Sequence, residues 1–499
     1  MSEFKDSSPG ADNLPMFIFR ENIVSLSKVI AHLCNLSFSC GIYPEELKIA
    51  KVVCLFNLFK SEDPRYVNNY RPVSILPSFS KIMERIVTLK ISEYFVRNEL
   101  FSVAHYGFRQ GLSTEDALRK LVDTLYDTFD EGRSAVGVFI DLAKAFDSIN
   151  RNILFEKLHH YGIRGNSLQW IRSYFSNRHQ YVYFNGVKSS LLPVNYGVIQ
   201  GSIAGPLMFL IYINDIACCS SKIEFLLYAD DTNVFVSSDG VDQSVDIMNA
   251  ELKLLSSWLN CNALTLNKKK SHYIIFHRKR RKLLEKTYNI SIGESLVARE
   301  TCTKFLGVQV DENLSFHQHI SHLIRKMAKY VPILYQTRNS LSNESLKLIY
   351  NSLIYPNLIY CISVWGSCAK IHRNQLLCLQ KKIVRIISFK PKFYPSSELF
   401  RFLNFLKMDE ISQYMSVCYV FKSLKRNNGI FIEYETQYNT RLSNQPRVLV
   451  LPPIFTGHSR QSIRWVGPRL WNGLPPALRV EMSYCSFKLN VKRYILSNR

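Results

Sequence analysis

The chain has 499 residues, of which 47% are hydrophobic and 21% charged, and this composition suits a soluble globular protein of more than one domain. Lysine and arginine total 63 against 40 aspartates and glutamates, a net charge of +23. This charge indicates a polyanionic partner, nucleic acid first and an acidic membrane surface second, and the alternative is that it only keeps the protein soluble. The 12 cysteines lack CxxC and zinc-finger spacing and the polar N-terminus lacks a signal-peptide pattern, which argues against a secreted disulfide scaffold and a zinc finger and favours an intracellular protein. A membrane span is disfavoured because the most apolar later run, residues 348–365, is broken by Asn351, Pro356 and Asn357.

Strands and helices are predicted to alternate after a disordered lead over residues 1–15. In chain order the predicted elements are a helix over 23–42, a strand over 52–59, helices over 80–100 and 113–129, a strand over 134–142, a helix over 153–163, a hairpin over 181–198, an apolar helix over 201–216, a hairpin over 226–235, a helix over 245–262 and a strand over 271–277. The pattern then becomes mainly helical, and we place unit boundaries near residues 315 and 430.

Two of the predicted strands end in aspartates. Asp141 follows the apolar run Val138-Phe139-Ile140, and Asp230 and Asp231 follow Leu226-Leu227-Tyr228. If these strands are neighbours in one sheet, three carboxylates converge, and like charges that close need a counter-charge or raised pKa values. The alternative is that each aspartate caps a turn, but two acid-tipped strands in one basic chain favour a shared site.

Magnesium would supply this counter-charge, because it is a hard cation that prefers carboxylate and phosphate oxygens. Two such ions about 3.5–4 Å apart can activate a hydroxyl and stabilise a leaving pyrophosphate. The carboxylates and the net charge together therefore predict nucleotidyl transfer on a polyanion.

Several motifs in order resemble those of reverse transcriptases. The segment Tyr228-Ala229-Asp230-Asp231 resembles the YxDD hairpin of that family, and FIDLAKAFD (139–147) resembles the palm motif that supplies the first aspartate. Further resemblances, to non-LTR (LINE-type, jockey-like) retrotransposon polymerases, lie in LKIAKVVCLFNLFK (47–60), NNYRPVSIL (68–76), HYGFRQGLSTEDAL (105–118), GVIQGSIAGPLMFLIYIND (197–215), LTLNKKKS (264–271), KFLGVQVD (304–311), YNTR (438–441) and GPRLWNGLPP (467–476).

The resemblance implies an α/β (α+β) right-hand polymerase: fingers and an antiparallel-sheet palm over 16–315, a helical thumb over 316–430 that tracks the duplex, and a small C-terminal domain over 431–499. It implies RNA-directed DNA synthesis with two Mg²⁺ ions, Mn²⁺ being an alternative. The implied partners are an RNA template, a DNA primer or target DNA, and dNTPs, without a membrane. The implied location is the nucleus and cytoplasm.

The resemblance also implies a role for individual residues. Those roles are metal binding by Asp141, Asp230, Asp231 and the Leu142 carbonyl, protonation of pyrophosphate by Lys270, triphosphate binding by Lys60 and Arg71, a steric gate against ribose at Phe146, contact with the template–nucleotide pair at Gln200 and Gly201, contact with template or nucleotide by Arg109, and a primer grip at Lys304 and Gly307. Taken alone, Phe146 would be a core aromatic, and Lys60, Arg71 and Lys270 would be solvated surface charges.

The run HRKRRK (277–282) is a separate basic signal, for which a phosphate-binding loop, a nuclear-localisation patch and a plain solvated loop stay open.

Two positions depart from the family pattern. Ile199 stands where the family usually has proline, and Ala204 stands where it usually has leucine or a similar residue. Loss of a fixed φ before Gln200 could weaken activity, so a decayed or co-opted nucleic-acid-binding relic is the rival hypothesis. The chain also begins just before the fingers motifs, so we expect it to lack the N-terminal endonuclease of such elements. An RNA-dependent RNA polymerase is disfavoured by the YADD segment and by Phe146.

Overall fold

The structure is a computed structural model that describes residues 6–56, 63–278, 286–434, 446–453, 457 and 459–499. Three sequence-predicted features lie outside the described residues: Lys60, most of the basic run 277–282, and the YNTR segment over 438–441.

The part of the chain up to residue 311 mixes helices and strands, as the sequence predicts. Its elements are α1 (Met16–Glu21), α2 (Ile23–Cys40), β1 (Ile49–Phe56), β2 (Tyr70–Ile75), α3 (Ser78–Arg97), α4 (Thr114–Asp130), β3 (Ser134–Asp141), α5 (Arg151–His160), α6 (Gly165–Phe175), β4 (His179–Phe184), β5 (Val187–Lys188), β6 (Leu192–Pro193), α7 (Gly205–Tyr212), β7 (Glu224–Tyr228), β8 (Asp231–Ser238), α8 (Val241–Cys261), β9 (His272–Phe276), β10 (Ile290–Ile292), β11 (Ser295–Arg299), β12 (Cys302–Phe305) and β13 (Val308–Asp311).

The following part is helical, as predicted for the residues up to about 430; its last two helices lie beyond them, where the sequence predicts no helix. Its helices are α9 (His317–Ala328), α10 (Tyr330–Thr337), α11 (Asn343–Ile349), α12 (Tyr355–Ile359), α13 (Ile362–Trp365), α14 (Lys370–Ile387), α15 (Ser396–Phe402), α16 (Met408–Arg426), α17 (Ile463–Asn472) and α18 (Tyr484–Ser497).

Helix α7 begins later than predicted. The sequence pattern places its start at residue 201, but Gly201 has a φ of 103° and the helix begins only at Gly205. Such a φ belongs to the left-handed region and cannot continue a right-handed helix. The residues before Gly205 therefore form a turn, which is important for the site described below.

The largest sheet has the strand order β10-β11-β9-β3-β8-β7. Its neighbouring strands are antiparallel, except that β11 pairs with β9 in parallel. Ala135 and Phe139 on β3 pack into one hydrophobic cluster, which includes α4 and the helical part, while Val136, Val138 and Ile140 pack into a second cluster with α7 and α8. Because both faces are covered, β3 is a continuous apolar run rather than an alternating one.

A second sheet has the order β2-β1-β4-β5, with β6 also paired to β4. The predicted hairpin over 181–198 is confirmed by the pairing of β4 with β5 and β6. Strand β1 pairs in parallel with β4, which follows β3 in the sequence, and in antiparallel fashion with β2. The chain thus leaves this sheet, enters the larger one, and returns.

Both ends of the described chain pack on neighbouring elements. In the C-terminal part, Phe487 of α18 stacks on Phe421 of α16 at a centroid distance of 4.1 Å, and Ser462 Oγ donates to Asp123 of α4 at 2.7 Å. The segment 6–15, predicted to be disordered, has no helix or strand, but Ser78 Oγ donates to the Leu14 carbonyl at 2.8 Å.

Within the described ranges, one helix, Ile23–Cys40, is long and apolar enough by length and composition to cross a membrane. One side of it contacts α6, where Trp170 Nε1 donates to Ser37 Oγ at 2.9 Å. Core helices of soluble proteins and signal sequences have the same length and composition, so this is weak evidence for a span.

Candidate active site

The hairpin of β7 and β8 carries two aspartates at its turn. Tyr228 pairs with Asp231, which leaves Ala229 and Asp230 as the two turn residues. Ala229 has a left-handed φ of 54°, which residues with a Cβ rarely adopt, so the neighbouring structure must hold this turn in place. The predicted tight hairpin with acids at its tip is confirmed.

Asp141 is the last residue of β3 and lies directly opposite Asp231 in the antiparallel register of β3 and β8. Burial raises the pKa of Asp231 to about 6, and the charges of Asp230 and Asp141 add to this effect. The prediction that the two acid-tipped strands are neighbours is therefore confirmed, and their carboxylates concentrate negative charge at one end of the sheet.

The segment after α8 engages Asp141. Asn267 Nδ2 donates to Asp141 Oδ2 at 2.7 Å, and Lys270 Nζ lies 3.8 Å from the same oxygen. The backbone is also tied, because the Asn267 amide donates to the Asp141 carbonyl at 2.8 Å and the Asp141 amide donates to Ser271 Oγ at 3.2 Å. Lys270 and Asp141, predicted from separate motifs, are thus brought together.

The donors at this end of the sheet fit a hard cation in kind. They are carboxylate oxygens whose crowding is seen in the raised pKa of Asp231, and a cation would relieve it. Among the described residues no N–H donates to the Leu142 carbonyl. The neighbouring amides donate elsewhere, Ala143 to the Thr265 carbonyl and Asn267 to the Asp141 carbonyl. Over those same residues, no three Asp, Glu, His or Cys side chains already converge as a ligand set.

The Gln200–Gly201 turn lies against β2. The Ser74 amide donates to the Gln200 carbonyl at 2.8 Å, and a Cβ on Gly201 would lie 2.5 Å from the Ser74 carbonyl oxygen. Gln200 Oε1 is buried and has no hydrogen-bond partner in the part of the chain that the structure describes. An unpaired buried acceptor is costly, so a functional explanation is called for, and a bound ligand is one that would satisfy it. Arg71 lies exposed on the same strand, β2.

The ring of Phe146 is partly buried between two elements. It stacks on Phe209 of α7 at 4.7 Å between centroids and meets the edge of Phe108 at 6.3 Å. Its carbonyl accepts from the Val198 amide at 2.9 Å, which joins it to the segment before Gln200. The contacts with Phe209 and Phe108 explain an aromatic residue at this position by packing, although the residue is only partly buried.

Lys304 and Gly307 lie on the hairpin of β12 and β13, as the resemblance implies. Its turn is formed by Leu306 and Gly307, both with positive φ. Tyr360 Oη, from the helical part, donates to the Leu306 carbonyl at 2.7 Å. The hairpin is therefore connected to the helices that follow it.

Arg109 is engaged within its own loop. Its Nη1 donates to the Ser102 carbonyl at 3.0 Å, and its guanidinium lies 5.4 Å from the centre of the Phe101 ring. Burial lowers its pKa. The structure thus gives Arg109 a loop-stabilising role through Nη1.

Two site residues were missed by reasoning from the sequence. Asn267, which donates to Asp141, lies within the segment LTLNKKKS, where the resemblance implies a role only for Lys270. Gly107 lies within HYGFRQG and contacts the backbone of Ala229. The signal for Gly107 was a glycine next to an aromatic run, which is too common to identify a contact across more than a hundred residues.

A sheet whose paired strands bring aspartates to one end defines the palm class of polymerase domains. Residues 60–310 match the family described as reverse transcriptase (RNA-dependent DNA polymerase), and the chain belongs to this family.

The chain is similar to the RNA-directed DNA polymerase from mobile element jockey of Drosophila melanogaster, with 26% identity over 83% of this chain and 45% of that protein. The Drosophila funebris protein of the same name is 26% identical over 72% of this chain and 40% of its own length. The chain thus spans less than half of these curated relatives. A solved telomerase from Candida albicans, in complex with a TWJ fragment of telomeric RNA, aligns over 79% of this chain and 71% of its own, with 14% identity and a TM-score of 0.42.

Proposed function

We propose that this chain is the RNA-directed DNA polymerase of a non-LTR retrotransposon and that it extends a DNA primer on an RNA template. The observation that carries the proposal is the register of Asp141 opposite Asp231, with Asp230 at the adjoining turn, in a chain of the reverse transcriptase family. The relatives named as polymerases of mobile elements support the same source.

In this proposal the three aspartates and the Leu142 carbonyl hold two Mg²⁺ ions, or Mn²⁺ in their place. When bound, such ions supply the positive charge that favours the ionised primer hydroxyl and the leaving pyrophosphate. Lys270, 3.8 Å from Asp141, gives its proton to the pyrophosphate. Lys60 and Arg71 hold the triphosphate of the incoming dNTP by charge and hydrogen bonds.

The remaining residues position the substrates. Gln200 and Gly201 meet the template–nucleotide pair, since a glycine lets backbone and base approach closely, and Phe146 excludes the ribose 2′-hydroxyl. Lys304 and Gly307 grip the primer strand, and the helices after residue 315 follow the duplex through phosphate contacts. Arg109 contacts template or nucleotide through guanidinium N–H groups other than those of Nη1, which donates to the Ser102 carbonyl.

We further propose that residues 16–315 act as fingers and palm, 316–430 as thumb and 431–499 as a C-terminal domain, and that the protein works in the nucleus and cytoplasm. The net charge of +23 supports a nucleic-acid partner.

Primer extension tests the function. The purified chain is given Mg²⁺, a DNA primer annealed to RNA and dNTPs, and products are separated by length. We expect extension by the parent and by Asp246→Asn, an exposed control on α8, and none by Asp230→Asn. Extension by Asp230→Asn at the parent rate would show that the metal assignment is wrong.

A nucleic-acid-binding relic is the second candidate, favoured by Ile199 in the position where the family usually has proline. A relic would bind primer–template with a steep dependence on salt but extend no primer, whatever the template or divalent ion. Replacing dNTPs by NTPs in the same assay tests RNA synthesis as a third outcome.

A further inference from the structure

A fully buried glutamate is bonded to the turn that contains Gln200 and Gly201. Glu84, on α3, has none of its surface exposed, and its Oε2 accepts from the Ile203 amide at 2.7 Å. Ile203 lies two residues after Gly201 and before the start of α7. A glutamate is almost never fully buried unless it is paired, so this one calls for an explanation.

The other oxygen of Glu84 is held by a separate group of hydroxyls. Oε1 accepts from Tyr174 Oη at 2.8 Å and from Ser80 Oγ at 3.2 Å. Ser80 in turn accepts from Tyr43 Oη at 2.7 Å. The two oxygens therefore have different tasks: Oε1 fixes the carboxylate to α3 and α6, and Oε2 reaches the turn.

Positive charge nearby compensates for this buried carboxylate. Arg178 is 2% exposed, and its guanidinium lies 4.1 Å from the ring centre of Tyr174 and 5.3 Å from that of Tyr43. Burial raises the pKa of Glu84, while the charge of Arg178 and the hydrogen bonds to the carboxylate act in the opposite direction. Well-packed apolar side chains often stabilise a fold as much as a buried charge network does, or more. Stability alone therefore does not explain why Glu84 and Arg178 are buried here.

The turn is held from a second side as well. The Ser74 amide on β2 donates to the Gln200 carbonyl, and Ser202 Oγ donates to the Ile199 carbonyl at 2.8 Å. Without the bond from Ile203 to Glu84, the part of the turn between Gly201 and α7 would be held by Ser202 and by packing. Gly201, at a φ of 103°, has more conformational freedom than other residues, so this part is where an anchor matters most.

We propose that Glu84 is a positioning residue for nucleotide selection, which acts through the Ile203 amide to hold Gln200 in one orientation toward the template–nucleotide pair. This inference rests on the proposed function, because it assigns that pair to the Gln200–Gly201 turn. It adds a residue that contacts neither substrate nor metal.

The test compares variants of nearly equal volume. Glu84→Met removes the acceptor for the Ile203 amide, and Glu84→Gln keeps an oxygen there while its amide group faces hydroxyls that can rotate to accept. Tyr174→Phe is the matched control, since it removes a bond to Oε1 and leaves the bond from Ile203 to Oε2. Each is measured for dNTP KM, kcat, primer–template Kd and melting temperature.

We expect Glu84→Met to raise the dNTP KM about tenfold, the effect of losing one hydrogen bond to a charged acceptor, with kcat and primer–template Kd close to the parent values. Glu84→Gln should restore most of the loss, and Tyr174→Phe should lower the melting temperature without moving KM. A melting temperature that falls in all three while KM stays at the parent value would overturn the proposal.

Glu84→Gln covers the case in which Glu84→Met does not fold. It replaces the charged acceptor of the Ile203 amide by a neutral one, so a small rise in dNTP KM is expected, and an unchanged KM in this folded variant would count against the proposal. Amide exchange over residues 199–205, measured without substrates, should be faster in Glu84→Gln than in the parent and unchanged in Tyr174→Phe. If the parent itself extends no primer, the proposed function fails, whereas unchanged exchange rates would refute the anchoring by Glu84.

Discussion

Gly107 lies directly against the backbone of Ala229: a Cβ built on Gly107 would be 2.3 Å from the Ala229 nitrogen. The adjoining residues pair with β7, since the Tyr106 amide donates to the Leu227 carbonyl at 2.8 Å and the Leu227 amide donates to the Ala104 carbonyl at 2.9 Å. The segment before α4 therefore supports the strained turn that holds Asp230, at a place where only a glycine fits.

Gly107→Ala tests this support. A methyl group that meets backbone atoms must displace the turn, so we expect a loss of about 1–3 kcal/mol in the free energy of unfolding. A shift of about 1 Å at Asp230 should lower the rate of primer extension about a hundredfold. Gly240→Ala is the control, because Gly240 has a φ of −122° and open space around its Cβ position. Parent-like unfolding and extension in Gly107→Ala would contradict the close contact.

Asn267 is expected to orient Asp141. Its Nδ2 donates to Asp141 Oδ2 at 2.7 Å, so it selects which way the carboxylate faces. Loss of a partner to a metal-binding carboxylate commonly costs about 10–100-fold in metal affinity or activity. We expect Asn267→Ala to need more Mg²⁺ for half-maximal extension, and the exposed variant Asn152→Ala to match the parent. An unchanged Mg²⁺ dependence in Asn267→Ala would mean that Asp141 is held by Lys270 or by the backbone alone.

The parts of the site that follow from local pattern were predictable from the sequence. Asp141 and Asp231 each stand at a strand end, and the resemblance of the flanking motifs places both strands in one palm sheet. The parallel pairing of β1 with β4 was not predictable from the sequence, because it joins segments more than a hundred residues apart and leaves no periodic signal. Glu84 was missed for a different reason: in an amphipathic helix, a glutamate is expected on the solvated face.

A substitution at Phe146 distinguishes its role as a steric gate from its role as a core aromatic. Phe146→Val shortens the side chain and should raise the ratio of NTP to dNTP incorporation about tenfold or more, because the space opposite the 2′-hydroxyl opens. It should also lower the free energy of unfolding by about 1–3 kcal/mol, since the stack on Phe209 is lost.

Phe209→Leu is the matched control for Phe146→Val. It removes the same stack but leaves the ring of Phe146 in place, so stability should fall while the NTP to dNTP ratio stays at the parent value. A ratio that is unchanged in both variants would leave Phe146 as a packing residue only.

Ile199→Pro addresses the departure that favours a relic. Within the described part of the chain the Ile199 amide donates to no acceptor, so proline would remove no hydrogen bond there. Ile199 is 8% exposed, and the lost side-chain burial is expected to be offset largely by a stiffer unfolded chain, for a net change within about 1 kcal/mol. We expect the fixed φ to raise the rate of primer extension.

Ile203→Pro is the contrasting variant: the Ile203 amide donates to Glu84, so proline at this position should lower both stability and extension. Equal losses in the two variants would mean that the whole turn rejects proline, and that Ile199 is suited to this chain rather than a mark of decay.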